Sequence, residues 1–211
     1  MNLIYHKWDE VPISVYREIS GIVEAEGVDD TTKSVQLLAA LCGVPEGEIW
    51  DLTLPEISAL SKQIEWVYSF DFDKKKKPHR LKIAGNDYVV NYEVAKMSIA
   101  AYVDFQTYFK DRDKYMGAIL TTFVLPKGKK YAEDYDCVEL AKTFEAEVPI
   151  TTYNTLLYFF LLTSLNSIRA MQIYSELALK EVERKTGKTL TQARAKLRKI
   201  ADTFGLPSLT K

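Results

Sequence analysis

Apolar residues recur at helical spacing along most of this chain. Between Val11 and Glu26, the residues Val15, Tyr16, Ile19, Ile22 and Val23 line one helical face, and Gly27 ends the run. Between Thr31 and Cys42 the pattern returns with Val35, Leu38, Ala39 and Cys42, and Gly43 stops it. Thr53 and Glu56 have the spacing of a capping box, Leu52 and Ile57 stand at the staple positions, and the stripe Ile57, Leu60, Ile64, Val67 follows. Further helices are predicted over Ser98 to Lys110, where Ile99, Tyr102, Phe105 and Phe109 can share a face, and through Met116, Ile119, Leu120 and Phe123 up to Pro126. Asp136 is placed to cap another helix, carrying Val138, Leu140, Ala141 and Phe144.

One segment has a different period. Leu81 and Ile83 precede a turn-rich centre and Tyr88, Val90 and Tyr92 follow it, which predicts a β-hairpin. Upstream, Lys74, Lys75, Lys76 and Lys77 run into Pro78, and their mutual repulsion favours an extended, solvated linker; contact with an acidic partner is the sharper alternative. The predicted fold is therefore mainly α, a helical bundle of about eight helices with one β-hairpin between two helical halves. It divides into an N-terminal half at 1–70, the basic linker and hairpin at 71–95, a second half at 96–168 and basic C-terminal helices at 169–211. A faint echo between Ile13-Ser14-Val15-Tyr16 and Ile99-Ala100-Ala101-Tyr102 is equally consistent with duplication and with chance periodicity.

Composition supports a folded core: 47% of the 211 residues are hydrophobic, and Gly and Pro together number only 16. The longest uninterrupted apolar stretch, Leu156 to Leu162, falls well short of the roughly 20 residues that a membrane helix needs. No membrane partner is expected, and the polar residues among the first ten do not resemble a signal peptide. Two isolated cysteines fit a reducing compartment.

Charge is near balance overall, 28 Lys plus Arg against 29 Asp plus Glu, but unevenly distributed. Residues 1–168 carry eighteen basic against twenty-five acidic groups, whereas 169–211 carry ten against four. Near the C-terminus, Thr189 and Gln192 repeat the capping-box spacing, Leu190, Ala193, Leu197, Ile200 and Phe204 form an apolar stripe, and Arg194, Lys196, Arg198 and Lys199 occupy the rest. Either this is a docked terminal helix with a solvated basic face, or the positive tail meets the negative body of a neighbouring copy, a head-to-tail contact that closes into rings. A pI of about 6.2 disfavours a dedicated nucleic-acid binder, leaving only non-specific contact with phosphate backbone.

Candidate chemistry is thin. Cys42, Cys137, His6 and His79 offer no zinc-ligand spacing, so no metal or other cofactor is expected. The loop Pro126-Lys127-Gly128-Lys129-Lys130-Tyr131 lacks the glycines and the Ser or Thr of a phosphate-binding loop. Acidic pairs such as Glu145 and Glu147 stand two apart and do not share a helix face. The chain is not expected to be an enzyme. Tyr5, Trp8, Tyr131 and Tyr135 fall outside the clear stripes, and such loop aromatics serve either as interface anchors or as residues folded back onto their own core. With the lysines at 74–77 and the four basic residues at 194–199, they make up the candidate protein interface.

The succession Leu37-Leu38-Ala39-Ala40-Leu41-Cys42-Gly43-Val44-Pro45, then Glu48-Ile49-Trp50-Asp51-Leu52 and Leu54-Pro55-Glu56-Ile57, resembles helical proteins of tailed-bacteriophage structural modules, tail-assembly-chaperone-like proteins among them. Tyr102-Val103-Asp104-Phe105-Gln106, Ile119-Leu120, Val124-Leu125-Pro126 and Lys129-Lys130-Tyr131 resemble proteins of crAss-like phages, whose virions hold stacked rings between portal and tail. The resemblance implies a virion protein, assembled in the host bacterial cytoplasm, that forms a ring with copies of itself and meets portal, tail or neighbouring ring proteins. Its alternative is a chaperone that holds tail subunits before assembly. No catalytic residue is carried over.

Overall fold

Start signals and apolar spacing coincide where the helices form. A computed structural model describes residues 1–133 and 135–167. Their order is α1 Ile13–Glu24, α2 Asp30–Cys42, α3 Glu46–Trp50, α4 Leu54–Gln63, β1 Arg80–Ile83, β2 Asn86–Val90, α5 Ile99–Phe109, α6 Met116–Thr121, β3 Val124–Pro126 and α7 Cys137–Glu147. A further helix, α8, occupies 150–161. Contacts group the chain into Met1–Leu161 and Leu162–Lys211; of the second unit residues 162–167 are described, and they are helical. The protein is mainly helical with one small antiparallel sheet between the helical halves, as the periodicity predicts.

The caps explain the boundaries. Asp29 accepts the Thr32 amide at 3.0 Å and its hydroxyl at 2.6 Å, so α2 starts one residue early, and Gly43 ends it at φ 64° in the left-handed region. At α4 the Thr53 amide and hydroxyl both donate to the Glu56 carboxylate, at 2.9 and 2.6 Å. The Asp136 carboxylate accepts the Val138 amide at 2.7 Å and opens α7.

Three local expectations change. The α4 stripe is completed by a 3-10 turn, Glu65–Tyr68, that still buries Val67. On α5 the buried stripe is Ala101 and Phe105, with Phe109 stacked on Phe105; Ile99, two positions before Ala101, comes out on the opposite side and is 84% exposed. After α6 the chain leaves the helix before Pro126 and adds a third strand. Tyr88 faces Pro126, and the flanking bond runs from the Lys127 amide to the Asp87 carbonyl at 3.0 Å, so the proline occupies a position that needs no N–H.

The sheet order is β1-β2-β3 with Leu81 opposite Tyr88. Its two-residue turn uses Ala84 and Gly85, both at positive φ. Ile83, Tyr88, Val90 and Val124 are buried, and the Tyr88 ring meets Phe144 of α7 edge-on at 5.3 Å. Phe123 stacks on Phe160 of α8 at 4.5 Å, and Phe105 meets the same ring at 4.8 Å.

A clasp joins the two ends of this unit. Val11-Pro12-Ile13 lies antiparallel to Val148-Pro149-Ile150; the Ile13 amide donates to the Val148 carbonyl at 3.1 Å and the Ile150 amide to the Val11 carbonyl at 2.9 Å. Both prolines fall at the position between the two bonds, where the missing N–H costs nothing. The four flanking aliphatic residues are all at most 1% exposed. The pairing reveals a repeat that periodicity did not single out: Glu-Val-Pro-Ile at 10–13 recurs identically at 147–150, each copy followed by Ser or Thr and, two residues later, by Tyr.

The basic segment is not a free tether. Phe70 packs on Trp8 at 5.3 Å, Phe72 on Tyr158 at 6.0 Å, the Thr155 hydroxyl donates to the Asp73 carbonyl at 3.0 Å, and the Tyr92 hydroxyl donates to the Pro78 carbonyl at 2.6 Å. Repulsion among four lysines sets where their charges go, and the aromatic residues before them set where the backbone goes.

Truncating Ile13→Ala is expected to lower stability by about 2–5 kcal/mol, read from the urea midpoint, since the residue is fully buried beside both clasp bonds. Gly117 of α6 lies where a Cβ would run into the Ala141 carbonyl and the Glu145 side chain of α7. Alanine adds about 1 kcal/mol of helix propensity there, but overpacking costs about 1–3 kcal/mol, so Gly117→Ala is expected to be a net loss in the same urea titration.

Candidate protein-interaction surface

The interface residues expected from sequence separate into distinct environments. Trp8 is 8% exposed, its ring enclosed by Tyr16 at 5.6 Å, Trp66 at 5.1 Å and Phe70 at 5.3 Å, all three edge-to-face at interplanar angles of 68°, 85° and 70°. It anchors the core of its own chain, and the exposed-anchor expectation does not extend to it. Its apolar bulk finds these rings because the 3-10 turn Trp8–Glu10 turns it inward just before the clasp.

Lys74, Lys75 and Lys76 are exposed, and Lys77 is half-buried with its ammonium 4.3 Å from the centre of the Tyr92 ring. Lys74 lies over Phe72 at 4.7 Å. Asp73 accepts the amides of Lys75 and Lys76 at 2.7 and 3.2 Å, and these bonds, aided by the two ammonium charges, hold its carboxyl below the ordinary 3.8. Arg194, Lys196, Arg198 and Lys199 lie outside the described residues.

Tyr131 and Tyr135 are brought together around the start of α7. The Tyr131 hydroxyl donates to the Asp104 carboxylate of α5 at 2.6 Å, and the Ala132 amide donates to the Tyr135 hydroxyl at 3.2 Å. Burial pushes the Cys137 thiol up, against the lowering effect of the Ala132 amide and the two tyrosine hydroxyls. Burial, and then the bond to Asp104, push the Tyr131 phenol up. A protonated thiol and two neutral phenols make this a hydrogen-bonded tie between the 127–136 loop and α5, which uses the tyrosines as internal fasteners. The sequence placed both tyrosines in a loop but offered no sign that Asp104 and Cys137 would join them.

Of the expected residues, Tyr5 and Tyr135 each line a concave surface, Tyr5 the more apolar one. The Ile4 amide donates to the Leu41 carbonyl at 2.9 Å, pinning the N-terminal segment over the end of α2. Between that segment, α1 and the α2–α3 turn lies a groove of about 610 Å³. Val15, Ile22, Ala40 and Val44 join Ile4 and Tyr5 in its apolar lining, and Glu18 and Glu46 stand on its rim, both exposed. Among the described residues neither carboxylate has an ion-pair partner, unlike Glu145, which takes Arg17 at 2.8 Å. Nothing in the periodicity singled out these two glutamates. A finer charge count could have, since the first 70 residues hold four Lys plus Arg against twelve Asp plus Glu.

A second groove of about 610 Å³ runs between β2 and α7, with Lys127, Asp87, Tyr135 and Glu139 among its lining, so its charges are mixed. Away from both grooves, Ile99 and Val103 stand one turn apart on the outer face of α5, 84% and 53% exposed. Among the described residues no helix is long and apolar enough to cross a membrane. Comparisons with protein-family models, with curated proteins and with solved structures gave no match.

If Tyr131 fastens its loop to α5, Tyr131→Phe should lower stability by about 1.5–3 kcal/mol, the range for a hydrogen bond to a charged group, in urea titrations followed by circular dichroism. Asp104→Asn should lose less, because the amide oxygen still accepts the phenol.

Proposed function

We propose that this protein works by binding polypeptides, as a structural ring subunit of a tailed-bacteriophage virion in the connector between portal and tail. The observation that carries this reading is the separation of charge along the chain. Residues 1–70 have eight more acidic than basic groups, and residues 169–211 have six more basic than acidic groups. Opposite charges at opposite ends of one sequence favour association of unlike surfaces on successive copies, and a head-to-tail contact of fixed rotation closes into a ring.

Two further features support the reading. The exposed apolar residues Ile4, Trp50, Leu54, Ile99 and Val103 provide area that gains from being covered. The segment 37–57 that carries the phage resemblance covers the second half of α2, α3 and the start of α4, and its first part lies beside the acidic groove. The virion itself rests on that resemblance alone, and the resemblance leaves a tail assembly chaperone as the alternative role.

Mass spectrometry of purified particles tests the proposal: a ring subunit should be present in multiple copies per particle, and a chaperone nearly absent. Sizing at physiological salt should show association of the chain with itself or with portal or tail proteins. A monomer that joins none of them overturns the ring reading.

A further inference from the structure

We infer that the groove between α1, the α2–α3 turn and the N-terminal segment is the receptor for the basic C-terminal segment of a second copy of this chain. The inference rests on the ring reading above and adds the contact that would build the ring.

The groove and the segment are complementary in two independent respects. Its apolar lining, Val15, Ile22, Ala40 and Val44 with Ile4 and Tyr5 on the N-terminal wall, is mainly aliphatic and suits a narrow apolar ridge. The stripe Leu190, Ala193, Leu197, Ile200 and Phe204 is such a ridge at helical spacing. Among the described residues Glu18 and Glu46 on the rim have no ion-pair partner, whereas the remaining positions of the segment carry Arg194, Lys196, Arg198 and Lys199. An amphipathic helix laid in the groove would bury its ridge and leave its cations level with the rim carboxylates. Both partners lie in the same sequence at opposite ends, so every copy offers one groove and one segment, the requirement for a closed head-to-tail ring.

The groove is also built to persist when empty. The bond from Ile4 to Leu41 holds one wall, and Gly43 at φ 64° lets Ile4 pass directly over the end of α2, where a Cβ would collide with its side chain. Ile4 itself remains 56% exposed at the lip. The α2 helix that forms the floor is fixed from below by Val35, Leu38 and Leu41, each at most 1% exposed.

The test follows association of the full chain at physiological salt by sedimentation velocity and native mass spectrometry, with circular dichroism as the folding control. Three variants are compared with wild type: Glu18→Lys with Glu46→Lys; Arg194→Glu, Lys196→Glu, Arg198→Glu and Lys199→Glu; and all six together. Each set alone is expected to weaken association at least about tenfold by placing like charges together, and the combined set to recover most of the loss. Raising salt should weaken the wild-type contact, as the screening length falls from about 8 Å at 0.15 M to about 3 Å at 1 M. Ile4→Ser, at an exposed lip position, is expected to weaken association by removing apolar area while leaving the rim charges unchanged. A groove-reversed chain that associates like wild type, or a combined set that loses as much as its parts together, overturns this inference while the ring reading survives. A wild-type chain that stays monomeric alone and with portal and tail proteins overturns both.

Discussion

The clasp between Val11-Pro12-Ile13 and Val148-Pro149-Ile150 is the constraint on which the rest depends. Two backbone hydrogen bonds join segments 137 residues apart in a setting where every flanking side chain is buried, so each unpaired amide there would carry the full penalty of a buried, unsatisfied donor. It fixes where α1 and α8 begin relative to each other, and α7, which leads into the second half of the clasp, thereby comes against α6 and, through Phe144 on Tyr88, against the sheet. Proline does two jobs in each strand of the clasp: it halts the ladder after one step and starts a helix in the next residue. The identical Glu-Val-Pro-Ile segments give the pairing a local two-fold character, in which each copy supplies the acceptor for the other's amide.

Around this clasp the molecule uses its aromatic residues internally. Trp8, Tyr16, Trp66 and Phe70 form one cluster, and Phe70, Phe72, Tyr158 and Phe159 continue it as a chain of ring contacts. That chain draws the lysine-rich segment onto the body while leaving the charges of Lys74, Lys75 and Lys76 in water. Tyr131 and Tyr135 act likewise in the loop before α7. Trp50 and Tyr68 remain exposed, so the surface left for partners is mixed; what distinguishes it is a shift toward charge, an apolar groove whose rim carboxylates have no ion-pair partner among the described residues.

That shift gives the charge separation its significance. In water an isolated surface carboxylate gains little from any one cation. Glu18 and Glu46, however, flank a groove that excludes water once filled, and a cation brought there by an apolar ridge meets them at reduced dielectric. Apolar burial would supply affinity and the charges would supply orientation and partner choice, the division of labour through which a single kind of subunit adds in one direction only.

The helical class, the hairpin and most helix starts are legible in the sequence because they depend on neighbours a few residues away: the Thr53–Glu56 box, the Asp136 cap, and the alternation across Leu81 to Tyr92. Local spacing is silent on how far each face turns toward the core, so Ile99, expected to share a face with Phe105, is exposed, while Trp8, expected at an interface, is buried. The third strand, the Asp104–Tyr131 tie and the acidic groove join residues distant in the chain, and no period or motif announces them. The clasp is the clearest case: its repeated tetrapeptide was printed in the sequence throughout, but its meaning depends on two strands meeting, and only tertiary packing decides which segments meet. Short-range hydrogen bonding and hydrophobic spacing thus determined the elements by themselves, and burial of side chains from remote segments against one another decided everything that makes a surface.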